Sequence, residues 1–209
     1  MSAAATVTLR EGAVGCVDRF LSAEECGQLV AETRHSWWWG SPVIRLDRHG
    51  KLMSAHSISR TSASTDETWL GLEGRRVVRR AERRLARAIG VCADRFEPWQ
   101  LTRYRAGERF DEHHDSGFFD GDHWGERTVS VIVYLTDSPS GGSTYFPALG
   151  QRFQPVAGRL LVWPNLLADG SVDVRMRHVA CPARRVKTIL STWVRELPTR
   201  SRSNQRKEG

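Results

Sequence analysis

Apolar positions change their spacing at Gly90 in this chain of 209 residues, recurring every three or four residues before it and alternating in short runs after it. Ser22 and Glu25 stand at capping-box spacing, so a helix is predicted to begin there, with Cys26, Leu29 and Val30 as its apolar face. It is expected to end before Trp37-Trp38-Trp39-Gly40. Three consecutive tryptophans cannot all face one core; one or two are expected to cap it and another to lie at the surface, where an aromatic platform for a peptide is the functional alternative. Ser64 and Glu67 repeat the capping-box spacing, and Arg75 to Ile89 predicts a second helix closed by Gly90. Val78, Ala81, Leu85, Ala88 and Ile89 form its apolar stripe, and arginines at 75, 76, 79, 80, 83, 84 and 87 are expected to make a solvated face. Residues 41–65 are polar and basic, with Pro42, Gly50 and a Ser/Thr cluster; they read as a candidate lid or a plain surface hairpin.

Beyond Gly90 the period shortens to two. Phe96 to Tyr104 and Thr128 to Leu135 are predicted strands, the latter with Val129, Val131 and Val133 on one face. Gly141-Gly142 turns the chain into Ser143 to Phe146, Gly158 opens Arg159 to Trp163, and Val172 to His178 precedes a last strand from Lys187 to Val194. Helices first and many short strands afterwards predict an α+β, mainly β fold: a β-sandwich or jelly roll backed by N-terminal helices. The length suits one domain over 1–197, and the polar segment 198–209 is expected to be a disordered basic tail.

Composition narrows the function classes. No apolar run approaches the roughly 18 residues of a membrane span, and the N-terminus lacks the features of a secretory signal, so a cytoplasmic protein is expected. Cys16, Cys26, Cys92 and Cys181 have no C-x-x-C spacing, which argues against structural zinc or a disulfide framework. The formal charge is +7, but Arg200, Arg202, Arg206 and Lys207 place much of it in the tail. That balance disfavours nucleic acid and weakly favours an acidic peptide.

The candidate chemistry lies in Tyr104 to Asp115. His113 and Asp115 are two residues apart, so in an extended strand both point the same way and can offer an imidazole and a carboxylate to one ion. His178, before the break at Cys181-Pro182, is the natural third ligand. Two histidines and one carboxylate suit a non-haem Fe(II) centre with open positions. Chemistry alone leaves His114 and His123 as alternatives, and a lone H-x-D is a weak signal.

Further elements follow in order: Tyr104-x-x-Gly107 before His113-x-Asp115, Arg127-Thr128 opening the strand that ends Tyr134-Leu135, then Gly141-Gly142-x-Thr144-x-Phe146-Pro147, Pro155-x-x-Gly158, His178, Pro182, Lys187 and Trp193. From about Trp99 to Glu196 this resembles the prolyl 4-hydroxylase-like Fe(II)/2-oxoglutarate dioxygenases, with Arg60-Thr61-Ser62 similar to the family's lid segment. Val186 stands where the family commonly has glycine. The resemblance implies a double-stranded β-helix core, iron at His113, Asp115 and His178, and 2-oxoglutarate anchored by Lys187. It implies cosubstrate hydrogen bonds from Tyr104 and Thr144 and Arg127 near the substrate as the catalytic-site arginine; Trp193 is expected in the core near the metal, as part of the cofactor-binding set. O₂ is the implied second cosubstrate and ascorbate a candidate stimulant. On the last strand Lys187 shares a face with Ile189 and Trp193, an apolar setting in which a cation wants an anionic partner. The function so implied is hydroxylation of a residue in a peptide or protein, prolyl first, or another side chain such as histidine in a ribosomal peptide. A free amino acid or small natural product is the same-class alternative; a non-catalytic β-helix binding module and metal-dependent hydrolysis are the rivals from other classes.

Overall fold

The chain, described here by a computed structural model over residues 7–119 and 121–200, begins with a short strand β1 (Gly15–Val17) and the helix α1 (Ala23–Glu32). Both halves of the predicted capping box are present: Ser22 Oγ accepts from Glu25 N and Glu25 Oε2 accepts from Ser22 N, each at 3.0 Å. The second helix, α2 (Leu72–Ile89), ends at Gly90 with φ +70°, the left-handed cap expected of that glycine.

The start of α2 differs from expectation. Ser64 lies in a strand, and Gly71 occupies the N-cap with no side chain to offer. Glu32, at the end of α1, supplies the missing acceptor, taking hydrogen bonds from Gly71 N and Gly74 N at 2.8 Å each. A carboxylate at a helix N-terminus meets both the orphan amides and the positive end of the dipole, so one side chain caps α2 and joins the helices. The arginine face of α2 is only partly solvated. Arg79 binds Glu67 at 3.0 Å, and Arg84 reaches Glu25 of α1 at 3.2 Å.

Alternation in the second half builds two antiparallel sheets. Trp39–Gly40 is β2, and a separate two-stranded sheet pairs β3 (Val43–Leu46) with β4 (Leu52–Ala55). The remaining strands are β5 (Ala63–Asp66), β6 (Gln100–Tyr104), β7 (Phe110–His113), β8 (Arg127–Tyr134), β9 (Thr144–Phe146), β10 (Gln151–Phe153), β11 (Leu160–Pro164), β12 (His178–Ala180) and β13 (Lys187–Arg195). The larger sheet runs β1-β11-β8-β13-β6-β5-β2 and the smaller β10-β9-β12-β7.

The period of two in β8 explains the layers. Val129, Val131 and Val133 pack with Leu190, Leu160, Val78, Ala81 and Leu85, so this face of the large sheet carries the helices. Tyr134 on the opposite face joins Leu161, Trp163 and Ile189 of the large sheet with Phe146 and Ala180 of the small one. The cleft between the sheets is therefore lined by the non-valine face of β8.

Two predicted strands are shorter than expected. The strand expected from Phe96 begins only at Gln100, as β6. Val174–Met176 form another, capped by Asp173, which accepts from Arg175 N at 3.1 Å, so His178 opens β12 rather than closing a longer strand. The tail expectation also needs correction where the structure describes it. Thr199 Oγ1 donates to Phe96 O at 2.6 Å, and Arg200 grips buried Glu82 with both Nη atoms, at 2.8 and 3.0 Å. Residues 201–209 lie outside the described residues.

Trp37 is 68% exposed, Trp38 donates Nε1 to Thr33 O at 3.1 Å, and Trp39 lines the central chamber, a split close to the expectation for this run. No described helix is long and apolar enough to cross a membrane, and Cys16, Cys26, Cys92 and Cys181 are all free thiols.

Candidate active site

A chamber of about 640 Å³ opens between the sheets, and His113, Asp115 and His178 lie on its wall. One ligand atom from each falls within 4.8 Å of the others. Antiparallel pairing creates this convergence: His113 at the end of β7 and His178 at the start of β12 are directly opposed Cα partners. Asp115 sits beyond the end of β7, in a bend, so the strand periodicity that suggested it is not what orients it. Ser130 does that from the cleft face of β8, donating to Asp115 Oδ2 at 2.6 Å while accepting from Asn165 Nδ2 at 2.9 Å.

Each imidazole is held by its other nitrogen. His113 Nδ1 donates to Asp111 O at 2.8 Å and His178 Nδ1 to Met176 O at 3.0 Å, which places the Nε2 lone pairs toward Asp115, 3.8 Å from its oxygens in both cases. Burial pushes both imidazoles below their usual range, and His178 depresses His113 further, which favours the neutral form of both. Burial alone would raise the Asp115 carboxyl; His178, His113, Arg127 and the Ser130 hydroxyl outweigh it and hold Asp115 well below the usual carboxylate range. Two neutral imidazoles and one carboxylate, facing an open chamber and braced from behind, fit Fe(II) with positions left for other ligands. His114 is excluded from the set, since its Nε2 donates to Asp173 O at 2.8 Å, and His123 is exposed.

Deeper in the cleft, Lys187 at the head of β13 is 1% exposed. Its Nζ donates to Gly142 O at 2.9 Å and lies 4.1 Å from the centre of the Tyr104 ring; no carboxylate pairs with it among the described residues. Desolvation pushes this ammonium down to about 7. Gly142 has φ +69°, and a Cβ there would stand 3.2 Å from Lys187 Cδ, so glycine serves both the turn and the approach of the lysine. Tyr104 and Thr144 also line the chamber, but the Thr144 hydroxyl accepts from Tyr134 Oη at 2.6 Å, so Tyr134 is a partner of this subsite that sequence reading missed.

Arg127 lines the opposite side and is clamped by Glu97, with Nε and Nη2 donating at 2.7 and 2.6 Å. Its guanidinium stacks 3.7 Å from the centre of Trp193, and Phe119 covers it at 4.7 Å. Arg195, 2% exposed, shares Glu97 at 3.2 Å and binds Asp122 at 2.5 Å. Arg60 enters from the 41–65 side, stacked 4.7 Å over Phe110 and donating through Nη1 to Pro42 O at 3.0 Å. The brace residues Ser130, Asn165 and Glu97 carry no motif of their own; Ser130 alone left a trace, as a small polar residue between two buried valines.

Residues 99–195, from β6 through β13, match the 2OG-Fe(II) oxygenase superfamily. The likeness to that superfamily covers the segment that carries His113, Asp115 and His178. The chain is 31% identical over 154 residues to the prolyl 4-hydroxylase subunit alpha-1 of Gallus gallus, covering 70% of this chain and 29% of the chicken subunit. It therefore spans less than a third of that relative. Among solved structures, a viral collagen prolyl hydroxylase from Paramecium bursaria Chlorella virus-1, in its 2OG complex, superimposes with a TM-score of 0.65 at 21% identity, over 87% of this chain and 95% of the viral one. A Pseudomonas putida prolyl-4-hydroxylase does so with a TM-score of 0.57 at 25% identity, over 88% and 92%. The matched segment holds His113, Asp115, His178 and Lys187; Arg60 and the β3–β4 hairpin lie outside it.

Proposed function

We propose that this chain is an Fe(II)/2-oxoglutarate-dependent hydroxylase of a residue within a peptide or protein, prolyl first. The two facing antiparallel sheets are read as the double-stranded β-helix of such enzymes, in one domain over 1–197. The observation that carries the reading is Lys187: a buried cation with no carboxylate partner among the described residues, in the same chamber as a His-Asp-His cluster. An ammonium in an apolar setting is stable when an anion enters beside it, and a dicarboxylate cosubstrate would offer one carboxylate for a metal and one for Lys187.

Iron, 2-oxoglutarate and O₂, when bound, supply oxidation of a substrate C–H bond to C–OH, coupled to decarboxylation of 2-oxoglutarate to succinate and CO₂. The protein's own residues hold and orient. His113, Asp115 and His178 take the metal, Lys187 and Tyr104 bind the distal carboxylate, and Thr144, aligned by Tyr134, completes that pocket. Trp193 and Arg127 form the wall facing the substrate, with Arg127 fixed by Glu97 so that it orients the incoming chain. Residues 41–65, with Pro42 to Arg45 lining the chamber, act as a lid over it.

The test is a mass-spectrometric screen of synthetic peptides for an O₂- and 2-oxoglutarate-dependent gain of one oxygen atom, with succinate measured in parallel. His178→Ala is expected to abolish both. Turnover that persists without O₂, or survives in His178→Ala, overturns the assignment.

A further inference from the structure

The β3–β4 hairpin leaves one edge of β3 open, and its hydrogen-bond phase shows which groups it presents. Val43 faces Ala55, Ile44 faces Ser54, Arg45 faces Met53 and Leu46 faces Leu52. Next to the turn Asp47 N donates to Lys51 O at 2.9 Å, which makes 47/51 a hydrogen-bonded pair. Antiparallel pairs alternate between bonded and non-bonded, so Arg45/Met53 and Val43/Ala55 are bonded. The N–H and C=O of Ile44 and Leu46 therefore point away from β4. Among the described residues neither group of Ile44 has a hydrogen-bond partner.

This edge faces the catalytic chamber. Pro42, Val43, Ile44 and Arg45 line it consecutively. The carbonyl of Pro42, in phase with that of Ile44, is met from that side by Arg60 Nη1 at 3.0 Å, and Arg60 is itself a chamber residue. Open edges at a protein surface are normally blunted, because they template pairing with another chain. Here the unpaired groups run along the wall of a substrate cavity, and an extended segment laid there would satisfy them.

Resting on the peptide-hydroxylase reading above, we propose that the substrate is taken in extended form as an added strand on β3, exchanging backbone hydrogen bonds with Ile44. Recognition of this kind reads backbone first and alternate side chains second. It tolerates a residue without an N–H only where that position faces away from β3. A target proline would thus sit out of phase with Ile44, with its neighbours on either side carrying the pairing.

The experiment uses the full chain and a pool of synthetic 12-residue peptides, each with one central proline, continuing with the member that the unmodified protein hydroxylates fastest. Ile44→Pro removes the edge N–H while leaving the β4 pairs intact, since proline is accepted on a free edge; Ile44→Val keeps the N–H. Loss of this pairing is expected to make the peptide KM of Ile44→Pro about five- to tenfold higher than that of Ile44→Val, with the 2-oxoglutarate KM the same in both. Stepwise N-methylation of the peptide, assayed on the unmodified protein, is expected to impair it with a period of two, and this scan decides the matter if Ile44→Pro does not fold. Equal KM in Ile44→Pro and Ile44→Val, or no alternation in the scan, overturns the strand-addition proposal while peptide hydroxylation stands. Hydroxylation of free proline with no peptide accepted overturns the peptide reading itself, and this proposal with it.

Discussion

Lys187 and Tyr104 are Cα partners across β13 and β6, and the lysine Nζ lies 4.1 Å from the tyrosine ring centre in the floor of the chamber. Burial pushes this ammonium to about 7 from an ordinary 10.5. Between those values the unfolded chain holds a proton that the folded chain has released, so stability rises with pH across about 7 to 10.5 and is flat below and above. Cosubstrate binding has the opposite slope, because a dianion favours the protonated lysine. The affinity for 2-oxoglutarate, measured anaerobically by calorimetry with metal present, is expected to weaken as pH rises above about 7, approaching tenfold per unit. Lys187→Ala is expected to bind weakly with a flat profile over that range; an unchanged slope in this variant removes Lys187 from the cosubstrate site.

Ser130 lines the chamber and donates to Asp115 at 2.6 Å. Ser130→Ala leaves the carboxylate without its brace and exposes the Asn165 amide to a lost acceptor. Groups that orient metal ligands from behind are worth about 10- to 100-fold in metal affinity. Anaerobic Fe(II) titration is expected to show a loss of that size with unaltered circular dichroism, and Ser130→Thr, which keeps the hydroxyl, is expected to recover most of it.

Glu97 accepts from both Arg127 and Arg195, whose side chains are 13% and 2% exposed. Glu97→Gln removes the charge but keeps the shape, leaving Arg195 with Asp122 and Arg127 without its ion-pair partner. Removing one partner of a buried ionic cluster costs about 3–5 kcal/mol. Urea denaturation is expected to show a loss of that order. A change near zero means that solvent reaches the cluster and that Arg127 is not fixed by it.

Much of this protein is written locally along the chain. The Ser22–Glu25 box, the Gly90 stop, the valine alternation of β8 and the H-x-D spacing all depend on neighbours a few residues away, where helix and strand periods operate. Other features depend on partners far along the chain. Ser64–Glu67 has the spacing of a cap, yet strand pairing claims Ser64, and Glu32 caps α2 from another helix. Arg200 belongs to a stretch too polar to predict order, yet Glu82, buried beside Trp99, needs a cation and holds it.

The metal cluster shows the same division. Residue types and motif order named His113, Asp115, His178 and Lys187, because only certain side chains can hold iron or a carboxylate. The opposition of His113 to His178, the Ser130 brace, the Glu97 clamp on Arg127 and the open edge of β3 were decided by the tertiary structure alone. The first three join residues far apart in the chain, and no local period encodes which residues meet; the fourth depends on what lies beside the β3–β4 hairpin.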